Sequence, residues 1–310
     1  MKNYFFITLF LFGILLKSNG QGCSDAGFCT AGSLKTLSMK DSIKNSLGFS
    51  FGYAIGEQGT IIITPQFEPQ IKISDKSMVQ VKIPFQYING DLGSNKGLGD
   101  VIFTYNYNMD SLGKNPLTFS VGTRIATGTA SLKKNNIPMP MPYQVSLGTT
   151  DLIVGARVQF KKGFSISLGY QQPLFSRNQN GFDSAAFKNL KISNQLADDK
   201  NFFISSHLER KGDIMLRLDK IFIIKTTTVS LGILPIYHLG KDKAQINKNT
   251  TINIENSQGL TLNINAGIYY KVSSKLEISA IAATPLIVRE SRPDGLTRAL
   301  ILVPALRYNL

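Results

Sequence analysis

The sequence predicts an all-β fold: a transmembrane antiparallel up-and-down β-barrel of about twelve strands, with fourteen as the alternative. Three observations carry that expectation. Segments of about ten residues place apolar side chains at every second position and recur between clusters of Gly, Asn, Asp, Ser and Lys, a pattern that suits strands wet on one face and oily on the other. The chain is 43% hydrophobic and 17% charged, yet its mean hydropathy is +0.00, so apolar and polar residues are finely mixed and not gathered into spanning helices. The connections between segments also alternate short and long. A length of 310 residues is within the range of one all-β barrel.

Residues 1–20 read as a secretory leader. Lys2 precedes the apolar run "NYFFITLFLFGILL", and small residues at Ser18 and Gly20 follow it. The run is shorter than the roughly 20 residues of a spanning helix. Residues 21–45 form a leading periplasmic segment, a candidate plug or docking handle, and 46–310 the barrel. The only two cysteines, Cys23 and Cys29, lie just beyond the expected cut and are expected to form a local disulfide in an oxidising compartment. A lipid anchor on Cys23 lacks the Leu expected three positions earlier. Loss of Lys2 and Lys17 lowers the net charge from +14 to +12. Much of that excess sits in "SLKKNN" and "GKDKAQINKN", a solvated basic rim. No aromatic interleaving supports nucleic-acid binding.

The strands, in order, are 46–55, 60–73, 78–89, 99–109, 116–127, 150–160, 163–173, 206–221, 225–239, 259–271, 275–287 and 296–310. The third sets Val79, Val81, Ile83, Phe85 and Tyr87 against Gln80, Lys82, Pro84 and Gln86. The fourth sets Phe103, Tyr105, Tyr107 and Met109 against Asp100, Thr104, Asn106 and Asn108. The seventh opposes Phe164, Ile166, Leu168 and Tyr170 to Ser165, Ser167, Gly169 and Gln171. In the tenth, Thr261, Asn263 and Asn265 share a face too polar for a packed core. "HLERKGDIMLRL" is kept as one long eighth strand with a bulge at Lys211 and Gly212, because splitting it would give an odd total. Short turns then follow every even-numbered strand, and the long connections 128–149, 174–205 and 240–258 follow odd-numbered ones. An even count places both mature ends at one rim, the periplasmic one. The last strand carries alternating apolar residues to Tyr308 and Leu310, which fits a terminal-strand signal for the outer-membrane assembly machinery.

The segments "GLGDVIFTYNY" (97–107), "SLGTTDLIVGARVQF" (146–160), "LGILPIYHLG" (231–240) and "RPDGLTRAL" (292–300) resemble a family of outer-membrane barrels annotated around phenol degradation (MetA-like). That family is in turn similar to the FadL-type hydrocarbon transporters. The FadL-type pattern implies fourteen strands and an N-terminal hatch in the lumen. The twelve strands and short leading segment counted here depart from it.

Strict alternation points Glu68, Lys72, Lys82, Asp100, Arg124, Asp151, Arg157, Arg217, Asp219, Glu277 and Arg307 into the lumen. Lipid-facing Lys or Arg would cost about 2–4 kcal/mol near the midplane. Two readings stay open: a salt-bridge network filling a narrow barrel, and a constriction in which Arg124, Arg157, Arg217 and Arg307 select anionic or polar solutes. A lipid hydrolase would need Ser and His in hydrogen-bond reach. The two histidines are His207, near Ser205, and His238, for which a loop-bonding role is expected. No metal cluster, phosphate-cradling loop or nucleotide motif stands out, so no cofactor is implied. The proline-rich "IPMPMPYQ" either folds into the mouth or covers a partner. The sequence therefore predicts a passive, monomeric outer-membrane channel for a small polar, anionic or aromatic solute. Its partners are outer-membrane lipid, the assembly machinery and the solute, with no nucleic acid. The alternative is a non-conducting accessory to an envelope protein complex.

Overall fold

The computed structural model describes Ala31, Leu34 and residues 43–112, 115–184, 202–247, 249–296 and 298–310, the side chains of 110–112 excepted. The expected leader and the Cys23–Cys29 pair lie outside these residues. Among the described residues seventeen strands follow in order. They are β1 Ser46–Gly56, β2 Ile61–Lys72, β3 Ser77–Gly90, β4 Gly93–Leu98, β5 Val101–Leu112, β6 Asn115–Ile125, β7 Lys133–Lys134, β8 Ile137–Pro138 and β9 Thr149–Gln159. Then come β10 Phe164–Ser176, β11 Asp213–Ile224, β12 Thr227–His238, β13 Lys243–Asn247, β14 Thr250–Asn253, β15 Gly259–Lys271, β16 Leu276–Ile287 and β17 Arg298–Asn309.

Twelve of them close into one antiparallel ring. Each pairs with its neighbour along the chain, β2 joins β3, and β1 joins β17 with Ser46 opposite Asn309 and Phe49 opposite Leu306. The fourteen-strand alternative is therefore not what forms. Closure leaves no edge, which is how a strand ending in an oily row is accommodated in lipid. β4 stands outside the ring count because it shares a column with β5. It pairs with β3 from Phe85↔Leu98 to Gly90↔Gly93, and β5 takes over at Lys82↔Ile102. The break falls where β3 presents Pro84, which has no N–H for the ladder. Its carbonyl instead accepts from Gly99 N at 2.8 Å.

Alternation holds along the walls. Phe85, Tyr87, Phe103, Tyr105, Phe164, Leu168, Ile268 and Tyr308 are exposed, whereas Gln80, Gln86, Thr104, Asn106, Ser165, Ser167, Asn263 and Asn265 are buried. A water-soluble protein would not leave such a belt of aromatic and branched side chains bare on every strand. Short turns gather at one rim with the start of β1 and the end of β17, and long connections gather at the other.

One strand departs from expectation. The eighth barrel strand begins at Asp213, not 206, and runs on to Ile224. Residues 206–212 leave the wall because their side chains are claimed elsewhere. Leu208 is buried with Met141, Leu147, Ala244 and Ile254, Glu209 bridges to Lys243 of β13, and Arg210 turns inward to acidic partners. The parity argument survives, since β11 remains a single barrel strand.

The long loops fold over the mouth. The proline-rich segment forms a short 3-10 turn, Met141–Tyr143, with all three residues buried. Tyr143 Oη accepts from Leu92 N at 3.1 Å, and Gln144 Nε2 donates to Met139 O at 2.8 Å. Tyr143, Phe182 and Phe202 pack edge to face above Ile62 and Ile88. Of the two readings left open, the segment takes the one inside the mouth.

Candidate functional site: the lumen and its ionic chain

The lumen is built by the inward residues of the strands, and at the loop end these join charges from the loops into one buried chain. Arg124 on β6, 1% exposed, reaches Asp151 of the neighbouring β9 through Nη2 at 2.5 Å and Thr149 Oγ1 at 3.0 Å. Its Nε faces Asp100 at 3.9 Å. Asp100 in turn accepts from Ser146 Oγ at 2.5 Å and Leu147 N at 3.2 Å, which ties the wall to the loop in the mouth. Asp151 also accepts from the Gln171 amide of β10 and lies 3.8 Å from Arg210 Nη1. Arg210 continues the chain to Asp213 at 3.0 Å and Asp294 at 3.2 Å. Arg289 then binds Asp294 at 2.5 Å and Asp242 at 3.4 Å. Burial alone would raise the Asp294 carboxyl, but Arg289 and Arg210 beside it hold it well below the usual carboxylate range.

His238 sits inside this chain at 2% exposure. Its Nδ1 is 2.7 Å from Asp213 Oδ1 and its Nε2 2.8 Å from Asp242 Oδ1. Both ring nitrogens are thus taken by carboxylates, leaving neither to activate a serine. His207 is exposed, and Ser205 is buried with its Oγ directed to Asn180. Among the described residues neither histidine is hydrogen-bonded to a serine.

Below the mouth lies a cavity of about 220 Å³. Toward the turn end it is lined by Glu68, Lys82, Glu277 and Arg307, and toward the loops by Asp100, Arg124 and Asp294. Lys82 Nζ is 4.0 Å from Glu68 Oε1, which also takes Ser50 Oγ at 3.5 Å. Register sets Glu277 directly opposite Arg307, and Arg307 Nε is buried without a hydrogen-bond partner among the described residues. Between these charged levels the β16–β17–β1 side is mostly apolar, with Ile281, Ala283, Ile301, Val303, Ala305 and Ala54 beside Ser50 and Ser279.

The opposite side of the lumen is filled. Leu34, wholly buried, packs with Ala31 against Ile102, Ile153, Met215 and Leu234. It fits because β9 and β10 present Gly155 opposite Gly169 on the inner face. A Cβ at either would stand 2.6 or 2.9 Å from a Leu34 methyl.

Of the expected lumen residues, Glu68, Lys82, Asp100, Arg124, Arg217, Glu277 and Arg307 line the cavity. Asp151, Arg157 and Asp219 are buried on inner faces beside it, Asp219 accepting from Asn265 Nδ2 at 3.3 Å. Lys72 is the correction. At the last position of β2 the wall has ended, so its side chain is 40% exposed and pairs with Asp75 of the turn. Arg210, Asp213, Asp242, Arg289, Asp294 and Leu34 were not anticipated. Asp242, Arg289, Asp294 and Leu34 lie in loops and the leading segment, which carry no period, and Arg210 lies where the expected strand leaves the wall. Asp213, by contrast, shares the inward face of Arg217 and Asp219 on β11 and was legible from alternation. Tyr308 and Leu310 face outward at the turn rim.

Fold and lumen together define a closed β-barrel of the outer-membrane type, oily outside and ionic within. The chain is similar to the COG4313 outer membrane channel from Pseudomonas putida F1, with a TM-score of 0.60 and 13% identity over 89% of this chain and 100% of that one. It is also similar to the NanC porin, with a TM-score of 0.50 and 8% identity over 85% of this chain and 100% of that one. At such identities the likeness shows the fold. No protein-family model matches the chain, and no curated protein does.

Proposed function

We propose that the chain is a passive outer-membrane channel for small organic anions that carry an apolar body, such as aromatic acids. One observation carries this reading: the cavity between Arg307, Lys82 and Arg124 has an apolar flank on β16–β17–β1, so a carboxylate and a hydrocarbon body each find a matching surface. The solved neighbours described as an outer membrane channel and a porin support it. So does the likeness to the phenol-degradation and FadL-type barrels seen in the sequence. In this reading the protein is a monomer in the bacterial outer membrane, the turn rim and both mature ends are periplasmic, and the long loops are external. Outward Tyr308 and Leu310 serve as the terminal-strand signal for the assembly machinery. Residues 21–45, tied by the Cys23–Cys29 disulfide, act as a plug, for which the seat of Leu34 in the lumen is the support. The twelve-strand diameter lies between side-chain-filled and openly aqueous barrels, so passage is narrow.

The test is liposome swelling with a panel of aromatic acids, sugars and amino acids, together with single-channel current in planar bilayers. Faster entry of the aromatic acids is expected, with Arg307→Glu shifting ion preference toward cations. Swelling that ranks solutes by size alone would overturn the proposed solute class. A second reading, a non-conducting accessory of an envelope protein complex, is favoured by the buried ionic chain and by Leu34, which together fill much of the bore. A sealed bilayer, both with the full chain and after removal of 21–40, would select it.

A further inference from the structure

We propose that the outer surface of the turn rim from β9 to β16 is a binding site for anionic phospholipid headgroups. The proposal rests on the barrel sitting in a bilayer and is independent of solute and of an open bore. Three successive turns and the strands beside them carry Lys161, Lys162, Lys220, Lys225, Lys271 and Lys275. The carboxylates of the same stretches, Asp219 and Glu277, both project into the lumen. The charges on the outward surface there are therefore all positive, set among exposed apolar side chains. The turns adjoin, Lys271 N donating to Thr226 O at 3.0 Å.

Lys220 gives the arc its position in the membrane. Its place in β11, between outward Leu218 and Phe222, sets it on the lipid side, directly across from Phe164 of β10. A lysine there is costly at the midplane and cheap only at the interface. Its stem lies over the aromatic belt and its head reaches the rim. Nζ is 4.1 Å from the Phe164 ring centroid and 5.5 Å from that of Phe222, and it donates to Lys162 O at 2.6 Å. No ion pair is formed by Lys220 among the described residues. An ammonium has three donors, so N–H groups remain for an acceptor at headgroup depth. Lys275 repeats the device, its Nζ 5.9 Å from the Tyr308 centroid.

A phosphodiester matches this chemistry. It accepts from several ammonium groups at once, and its acyl chains lie along the exposed Ile166, Leu168 and Ile233, which sit on the bilayer side of Lys220. At the loop rim, by contrast, some cations are partnered by carboxylates, as in Lys241–Glu255 and Arg292–Glu57, and Lys134 donates to the Leu92 carbonyl.

The full chain reconstituted in phosphatidylcholine bilayers, doped with spin-labelled phosphatidylglycerol or phosphatidylcholine, provides the test. The motionally restricted shell is expected to favour phosphatidylglycerol. Lys161→Gln, Lys162→Gln, Lys220→Gln and Lys225→Gln combined should bring the ratio to about one. Lys220→Gln alone should lower it by up to about fivefold, with folding checked by heat-modifiable gel migration. Lys133→Gln with Lys134→Gln, at the loop rim, should leave it unchanged. Inorganic phosphate at matched ionic strength should not displace the lipid. Equal restriction of both lipids by the wild type, an unchanged ratio in a folded Lys220→Gln barrel, or displacement by phosphate would overturn the proposal.

Discussion

Asp151 shows what alternation can and cannot foretell about a single residue. Its inward direction follows from period two on β9, and the structure buries it completely. What it touches does not follow: one carboxylate meets Arg124, Gln171 and, at 3.8 Å, Arg210 from a loop. Removing one partner of a buried pair leaves the other charge uncompensated, at a cost of about 3–5 kcal/mol. Asp151→Ala is therefore expected to lower the urea stability of the reconstituted barrel by about that amount. Asp151→Asn keeps the side-chain volume but also leaves Arg124 uncompensated, so it should cost nearly as much, and a loss far smaller than that of Asp151→Ala would assign the effect to packing. Leu34 makes the opposite case. Nothing in its local sequence announces a lumen residue, and its place depends on the two glycines facing it across β9 and β10. Gly155→Val would put atoms where the Leu34 methyls stand. If that contact helps to close the bore, Gly155→Val and Leu34→Ala should each raise single-channel conductance, and unchanged currents in both would rule the contact out as a constriction.

Strands were legible where two environments differ sharply. Lipid outside and a polar lumen inside impose a period of two, and the expected ranges agree with β3, β9, β15 and β16 to within a residue or so at each end. The period fails where both sides of the chain meet protein. Residues 206–212 join the eighth expected strand because splitting that segment would give an odd total, yet their side chains serve the loop cluster over the mouth. That cluster is held by charges from separate connections. Arg289 and Asp294 lie between β16 and β17, Arg210 precedes β11, and Asp242 follows β12. The carboxyl of Asp294 is depressed in the fold, whereas an unfolded aspartate titrates near 3.9. Its contribution is thus fully present above that value and is lost as pH falls through the depressed folded one. Hydrogen-exchange protection of 239–258 and 288–296 should therefore hold from pH 7 to about 4 and drop in stronger acid, with the strands still protected. Arg289→Gln, which removes the cation beside Asp294, should move that drop to higher pH. Simultaneous loss of strand protection would show that the loops are not a separate clamp.

At the scale of the whole barrel the decisive join is between the two ends of the sequence, β1 and β17, whose partners are more than 200 positions apart. No local pattern encodes that contact. What the sequence does contain is an even number of two-faced strands, and an open sheet of that kind would leave backbone N–H and C=O groups bare in lipid. Closure follows from that cost, and the register then follows from matching faces: Ser50 opposes Ala305 with both side chains inward, and Phe49 opposes Leu306 with both outward. This makes the join testable without reference to transport. With Cys23 and Cys29 changed to Ser, Ser50→Cys and Ala305→Cys place two thiols on directly opposed residues, within the separation a disulfide requires. Oxidation of the membrane-inserted protein should link them in nearly every folded molecule. Ser50→Cys with Ser279→Cys, one strand further round, should not link. If the folded barrel fails to form the first bridge, or forms the second as readily, β1 and β17 do not close the cylinder in this register, and the lumen described between them would lose its wall.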